Sequence, residues 1–144
     1  MKKATETSFI LLSQVSELWQ DEIKTELDKY NLTNAEFVVL SSLLWLTEQQ
    51  EQVTQVNVCT YSNTKPMNTS IVLRKIQNRK FIQRKEHPVD TRAKLINLTA
   101  EGTKVTNEIV QKIEAINARF FGVSVKEVAD FTKKLKDIRD AKKK

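Results

Sequence analysis

Residues 66–79 combine side chains that can read the edges of DNA bases. Thr69, Val72, Leu73 and Ile76 recur at helical spacing and would form the inward-packing face of a helix. Asparagine can pair with adenine, arginine with guanine, and an apolar side chain can touch a thymine methyl group. All three types lie on the other side of the predicted helix, which carries Met67, Asn68, Ser70, Ile71, Arg74, Lys75 and Asn78. The segment therefore predicts a recognition helix that lies in a major groove.

A charged hairpin follows this helix in the sequence. Residues 81–86 and 94–98 are strand-like, and their connection is too long for a two-residue turn. We expect residues 84–94 to protrude as a wing, with Arg92 in a minor groove, whose narrow and electronegative shape attracts guanidinium. Asp90 is expected to hold Arg92 by a hydrogen-bonded ion pair, although an exposed loop salt bridge without function has the same sequence pattern. Further DNA contacts are predicted for Lys65, Arg84, Lys85, His87 and Lys94.

The charge of the chain is unevenly distributed. Residues 1–52 contain four basic and nine acidic side chains, whereas residues 53–98 contain nine basic and two acidic ones. Clustered cations favour a phosphate backbone, because binding releases condensed counterions. A solvated basic face balanced by an acidic N-terminal third explains the same asymmetry, so charge alone does not decide between them.

Helix signals on both sides of the basic region predict the elements that position it. The chain is expected to enter the recognition helix from a short helix at 53–61 and a turn at 62–65, with Pro66 in the first turn, which makes a helix-turn-helix. Thr33 and Glu36 have the spacing of a capping box, and Thr99 can cap a later helix that Gly122 ends. A second box and staple is predicted where Val123 precedes Ser124 and Glu127.

The first and last segments are long amphipathic helices that need apolar cover. The first carries its apolar stripe on Leu11, Val15, Leu18 or Trp19, Ile23, Leu27 and Tyr30, and the last on Val128, Phe131, Leu135 and Ile138. We predict a mainly α fold with a small β-hairpin wing, a single domain over 1–144. Residues 32–102 form the winged helix-turn-helix region, and residues 1–31 and 103–144 the dimerisation platform of a homodimer. A monomeric helical bundle is the alternative.

Composition limits the remaining function classes. The 144 residues include two glycines and no phosphate-cradling loop, nucleophile elbow or paired carboxylates with a histidine, so we predict no enzyme. The apolar run 9–12 is too short for a secretory signal or membrane span, and one cysteine agrees with a reducing compartment, which together predict a cytoplasmic protein without a membrane partner. His87 is the only histidine, so we expect no metal site and no cofactor.

Two further features have a structural and a functional interpretation. Cys59 lies in the predicted short helix, where packing as a small apolar residue is a simpler account than redox sensing. Trp19, Tyr30 and Trp45 can pack in the core, or they can line a pocket for a small-molecule effector of unknown identity.

The pattern of residues across nearly the whole chain resembles the MarR family of winged helix-turn-helix regulators. The most specific part is Asp90-Thr91-Arg92-Ala93-Lys94 followed by a strand and Leu98-Thr99-Ala100-Glu101-Gly102. The earlier matches are Leu32-Thr33 with Glu36-Phe37 and Leu40, then Thr69-Ser70, Val72-Leu73-Arg74 and Phe81-Ile82 with Arg84. The resemblance implies a symmetric dimer that regulates prokaryotic transcription, probing a near-palindromic operator in double-stranded DNA with its helices and wings. Repression is the expected outcome.

Two questions follow from this resemblance. The family usually has glycine where Lys80 stands, and because lysine has a steric cost in a left-handed conformation, we expect a reshaped turn there. A winged helix can also serve as a protein-interaction adaptor without sequence-specific DNA binding, which is the alternative function.

Overall fold

The computed structural model describes residues 3, 6–122 and 124–143, and it confirms a mainly helical fold with one small hairpin. Within those residues the elements are α1 (Ser8–Asp28), α2 (Asn34–Gln49), α3 (Gln55–Ser62), α4 (Pro66–Asn78), β1 (Ile82–Glu86), β2 (Lys94–Leu98), α5 (Ala100–Phe121) and α6 (Val125–Lys142). The two strands pair antiparallel, with Ile82 opposite Leu98 and Glu86 opposite Lys94. No helix in this part of the chain is both long and apolar enough to cross a bilayer.

Helix α2 lies at the centre of the molecule, where α3, α4, α5 and β2 pack around it. Leu40 and Leu43 of α2 are fully buried together with Val58, Leu73 and Ile109 from the surrounding helices. This position explains why α2 is apolar over most of its surface, since most of its faces meet another element. Its start is the predicted capping box, in which Thr33 Oγ1 accepts from the Glu36 amide and Glu36 Oε1 accepts from the Thr33 amide, both at 3.1 Å.

Helix α3 begins later than the sequence predicts, because Val53 and Thr54 pair with the hairpin instead. The Ile96 amide donates to the Val53 carbonyl at 2.8 Å, and Thr54 forms a β-bridge with Leu95. Thr54 then caps α3 in a second capping box with Asn57. The prediction of a helix over 53–61 was therefore wrong at both ends, and the extended residues before α3 anchor the base of the wing.

Lys80 keeps the left-handed conformation that glycine usually supplies, so the expected reshaping of the turn was wrong. Its φ is 65°. The Phe81 amide donates to the Ile76 carbonyl at 3.0 Å and the Lys80 amide to the Gln77 carbonyl at 2.9 Å, which is the Schellman pattern at a helix end. The bonds formed there offset the steric cost of the lysine side chain.

The start of α5 is joined to the residues that follow α4. Thr99 Oγ1 donates to the Lys80 carbonyl at 2.7 Å, the Thr99 amide donates to the Phe81 carbonyl at 3.0 Å, and Thr99 Oγ1 also caps α5 by accepting from the Gly102 amide. Gly102 lies so close to the Phe81 carbonyl that a Cβ at this position would overlap its oxygen atom. We name these contacts of Lys80 and Phe81 with Thr99 and Gly102 the α4–α5 junction.

The terminal helices pack together at one end of the molecule. Trp19 of α1 stacks on Phe120, meets Phe121 edge-on, and donates from Nε1 to Asn117 Oδ1 at 2.8 Å. None of the described side chains of α6 is buried by the rest of this chain. Tyr30, predicted on the apolar stripe of the first helix, lies beyond the end of α1. Gly122 ends α5 as predicted, with a φ of 58°. Ser124 accepts from the Glu127 amide, which is half of the predicted capping box, and Val123 lies outside the described residues.

The left-handed Lys80 gives a first prediction. Lys80→Gly should raise the free energy of unfolding by about 1 kcal/mol, because glycine adopts this conformation without a Cβ clash. Chemical denaturation measures the change. Lys75→Gly, an exposed change inside α4, should instead lower stability by about 1 kcal/mol. Equal destabilisation by both changes would contradict the strain assigned to Lys80.

Candidate nucleic-acid interface

A short chain of hydroxyl groups fixes the turn that leads into α4. Ser62 Oγ and Thr64 Oγ1 lie 2.6 Å apart, as do Thr64 Oγ1 and Thr69 Oγ1. Asn63, between the helices, has a φ of 56°, and Pro66 occupies the first turn of α4 as predicted. The angle between α3 and α4 is thus held by side-chain bonds local to the turn.

The two faces of α4 separate as the sequence predicts. Thr69, Leu73 and Ile76 are completely buried, and Val72 is partly buried against them. On the opposite side Met67 is 75% exposed and Ile71 46% exposed. The other predicted contact residues of this region are exposed at Lys65, Asn68, Arg74 and Lys75 and half-buried at Ser70. Two apolar side chains therefore lie in solvent between basic and amide groups.

The hairpin places its basic side chains beside α4. Lys85 and Lys94 are exposed, and Lys94 Nζ lies 3.7 Å from Glu86 Oε1 on the paired strand. Arg84 is half-buried because its Nε donates to Gln77 Oε1 of α4 at 2.7 Å. This role of Gln77 was not predicted, since no sequence signal connects a helix residue to a strand residue across an intervening turn.

His87 has a role in the wing that its sequence position does not reveal. Its Nδ1 accepts from the amides of Val89 and Asp90, each at 3.1 Å, and therefore shapes the tip. Because Nδ1 is already bonded, the DNA contact predicted for His87 would have to use Nε2, the nitrogen on the other side of the ring. Val89 at the tip is also exposed. It was not predicted as a contact residue, because a single valine in a loop gives no sequence signal for a binding role.

The wing tip presents Arg92 next to Asp90. Asp90 Oδ1 accepts from the Arg92 amide at 3.1 Å and lies 3.5 Å from Arg92 Nε, so the predicted ion pair is present. The Arg92 side chain is nevertheless 93% exposed. Arg92 and Lys94 also line a cleft of about 580 Å³ between the wing, α3 and the start of α4.

The basic groups of this surface are mostly unneutralised. Among the ion pairs formed by the described residues, Lys65, Arg74, Lys75 and Lys85 take no part. Arg79 is different from the other cations of the basic region, since its guanidinium is bound to backbone carbonyls at the end of α1. We refer to the exposed outer side of α4 together with the wing as the basic face.

Cys59 is half-buried and lines the cleft below Arg92 and Lys94, whereas its neighbour Val58 is fully buried. Val58 therefore occupies the buried position that was predicted for Cys59. In the part of the chain that the structure describes, no three histidine, cysteine or acidic side chains come close enough to hold a metal ion.

The three aromatic residues separate into two groups. Trp19 and Tyr30 pack between helices, as the simpler interpretation expects. Trp45 is 48% exposed, so core packing was wrong for this residue. It lines a cleft of about 1050 Å³ between α2, α3 and α6, together with Tyr61, Leu135 and the cations Lys136, Arg139 and Lys143.

Comparisons with known proteins agree with this geometry. Residues 28–117 match the family model of the ArnR1-like winged-helix domain. The uncharacterized HTH-type transcriptional regulator YdcH of Bacillus subtilis (strain 168) is 32% identical over 117 residues, which cover 81% of this chain and 80% of the relative.

Solved structures show the same fold. BpsR of Bordetella bronchiseptica, whose DNA binding is regulated by 6-hydroxynicotinic acid, matches with a TM-score of 0.81 and 23% identity over 97% of this chain and 98% of BpsR. A MarR-family transcriptional regulator from Rhodococcus sp. RHA1 matches with a TM-score of 0.81 and 23% identity over 96% of each chain.

The geometry of Arg92 and Asp90 in the wing predicts how substitutions at these residues change the affinity for duplex DNA. Arg92→Ala should weaken binding to duplex DNA and reduce the slope of log affinity against log salt by about 1, because one cation of the basic face is lost. Asp90→Asn should also weaken binding, although it removes a negative charge, since Arg92 then loses its orienting partner. Fluorescence anisotropy across a salt series measures both.

Lys126→Ala on α6 is the matched control, because it removes a lysine far along the chain from the basic face. It should leave the slope unchanged. Stronger binding by Asp90→Asn would show that Asp90 acts only by repelling phosphate.

Proposed function

This chain belongs to the ArnR1-like winged-helix, HTH-type transcriptional regulators, and on that premise we propose that it is a homodimeric, sequence-specific repressor of the MarR type. The family is not enzymatic, as predicted. We place the recognition surface on α4, for the major groove, and on the wing at 84–94, for the minor groove. The DNA-binding region is proposed over residues 32–102, and the cytoplasm is the proposed compartment.

The observation that carries the proposal is the composition of the basic face. Met67 and Ile71 are exposed beside Asn68, Arg74 and Lys75, on a helix whose other side packs into the core through Thr69, Leu73 and Ile76. Exposed apolar side chains cost free energy in water unless a partner covers them. A major groove provides such a partner, since thymine methyl groups meet apolar side chains while base edges and phosphates meet the polar ones.

The homodimer is supported by apolar residues that this chain leaves uncovered. Phe9, Leu12 and Leu18 of α1 are more than half exposed, and Leu135 and Ile138 of α6 are partly exposed. Both helices come from the segments proposed for dimerisation, 1–31 and 103–144. A two-fold dimer buries such a self-complementary surface twice, and its two recognition helices would meet half-sites about 34–36 Å apart on a near-palindromic operator.

The cleft beside Trp45 supports the proposal of an effector. It lies between α6, in the proposed platform, and α2 and α3, in the proposed DNA-binding region. Its aromatic walls and its cations Lys136, Arg139 and Lys143 suit a small anionic aromatic molecule. BpsR responds to one such acid, and we extend that chemical class, though not that compound, to this chain.

The adaptor alternative differs from the repressor in one measurable way. A protein-binding winged helix does not need unpaired cations along both its helix and its wing, whereas phosphate contacts do. The unneutralised Arg74, Lys75 and Lys85 therefore favour DNA.

Selection from random duplex DNA tests the function. We expect a near-palindromic sequence to be enriched, and its affinity should fall by about a thousandfold or more between 50 and 200 mM salt, as for a protein that contacts several phosphates. Repeating the selection with small aromatic acids tests the effector, and enrichment should then decline. If no sequence is enriched and binding is indifferent to salt, the repressor proposal fails and the adaptor function is favoured.

Base reading by α4 can be separated from phosphate binding. Asn68→Ala and Arg74→Ala should each relax the preference at the base pair that they contact, by about 1–3 kcal/mol of lost discrimination per bidentate contact. Competition between operators with single base changes measures this preference. Lys85→Ala is the control, since a phosphate contact should weaken all operators equally. Unchanged preferences in both α4 variants would contradict the assignment of the recognition helix.

A further inference from the structure

Arg79 joins the end of the recognition helix to the end of α1. Its Nη1 donates to the Asn31 carbonyl at 2.6 Å and its Nη2 to the Tyr30 carbonyl at 2.7 Å. The guanidinium carbon also lies 4.8 Å from the centre of the Phe81 ring. One side chain at the C-cap of α4 therefore binds two consecutive carbonyls that are separated from it by 48 and 49 residues.

The shape of the guanidinium makes this link directional. Its planar fork presents two parallel donors, so both bonds form only at one distance and one angle between the two segments. The acceptors are equally fixed. Asn31 has a φ of 54°, and its amide and that of Leu32 donate back to Asp28 and Leu27 at 3.1 and 3.2 Å. The two carbonyls thus lie in a well-defined helix end rather than in a loose loop.

The turn that holds these carbonyls is itself attached to α5. The Tyr30 hydroxyl donates to Glu108 Oε2 at 3.1 Å, and Lys112 Nζ lies 5.1 Å from the centre of the Tyr30 ring. Lys112 Nζ is also 3.5 Å from Glu26 of α1. Hydrogen bonding from Lys29 and the charge of Lys112 hold the pKa of the Glu26 carboxyl below its ordinary value. Residues 26–31 are therefore bound to α5 on one side and to Arg79 on the other.

We propose that Arg79 is a positioning residue that sets the orientation of the recognition helix relative to α1, and so determines which half-site spacing the dimer accepts. This inference rests on the proposed dimeric DNA-binding function. Arg79 contributes to the choice of operator without contacting a base. A small change in the angle of α4 shifts its outer face only slightly within one half-site. In the proposed dimer both copies of α4 shift, so the distance between the two recognition helices changes by the sum of the two shifts. Spacing should therefore respond more strongly than recognition of a single half-site.

The test uses the selected operator, rebuilt as duplexes in which the two half-sites are moved apart or together one base pair at a time, and a duplex with one half-site. The variant is Arg79→Lys, which keeps the charge but offers no planar fork for two carbonyls. Wild-type protein should show one sharp optimum of spacing. Arg79→Lys should lose about tenfold in affinity at that optimum. Its affinity for other spacings and for the single half-site should stay within about twofold of wild type, and its salt slope should not change.

Asn31→Gly is the matched control, because it alters the same turn and suits its left-handed backbone while both acceptor carbonyls remain. It should keep the wild-type spacing profile. Dimer assembly and melting temperature are recorded for each variant, and affinities are measured well below the melting temperature. If Arg79→Lys is too unstable, Arg79→Gln, which keeps one amide donor group, is measured instead.

The outcomes distinguish the inference from the function on which it rests. If wild-type protein selects no operator or has no spacing optimum, the proposed dimeric function fails. If wild type has an optimum and the Arg79 variant follows the same profile, the positioning role is wrong. Parallel losses for the single half-site and the full operator would show that Arg79 only stabilises the domain, which also overturns the inference.

Discussion

The close approach of Gly102 to the Phe81 carbonyl is the constraint on which the arrangement of the functional elements depends. At this α4–α5 junction Thr99 donates to the carbonyls of both Lys80 and Phe81 while it caps α5, and the absence of a side chain at 102 lets the two segments touch. The end of α4, the first strand of the wing and the first turn of α5 therefore meet within a few residues. The motif Leu98-Thr99-Ala100-Glu101-Gly102 has a physical meaning in this contact, since threonine provides the bonds and glycine the space.

Around the junction, the residues that fix the position of α4 and the hairpin are different from those that are exposed on their outer surfaces. Thr69, Leu73 and Ile76 bury one side of α4 completely, and the hydroxyl chain through Thr64 sets its entry, so the exposed side is free to vary in chemistry. The hairpin is held in the same way at its base, where Ile82 and Ile96 are buried and Val53 accepts from the Ile96 amide. Side chains that would meet DNA thus extend from elements whose positions are determined by apolar packing and local hydrogen bonds.

The parts of this design that could be predicted are those encoded over a few residues. Helical periodicity identified the buried face of α4, and Thr33 with Glu36 identified the start of α2, because both signals act within one or two turns. Contacts between distant segments had no such signal: Val53 with Ile96, Gln77 with Arg84, and Arg79 with Tyr30 depend on how finished elements lie together. Lys80 shows a different difficulty, since its own steric preference argued against the turn that its neighbours' hydrogen bonds impose.

The wing tip is hydrogen-bonded almost entirely to itself. His87 accepts from Val89 and Asp90, the His87 amide donates to the Ala93 carbonyl, and the Ala93 amide donates to Asp90, all within seven consecutive residues. The tip is attached to the rest of the domain mainly through the two strands that lead to it. Mutations at its end have few routes into the core, so a lineage can change the sequence of the tip at little cost in stability. On the proposed function, diversification of operators between paralogues can begin at the tip, before any change in α4.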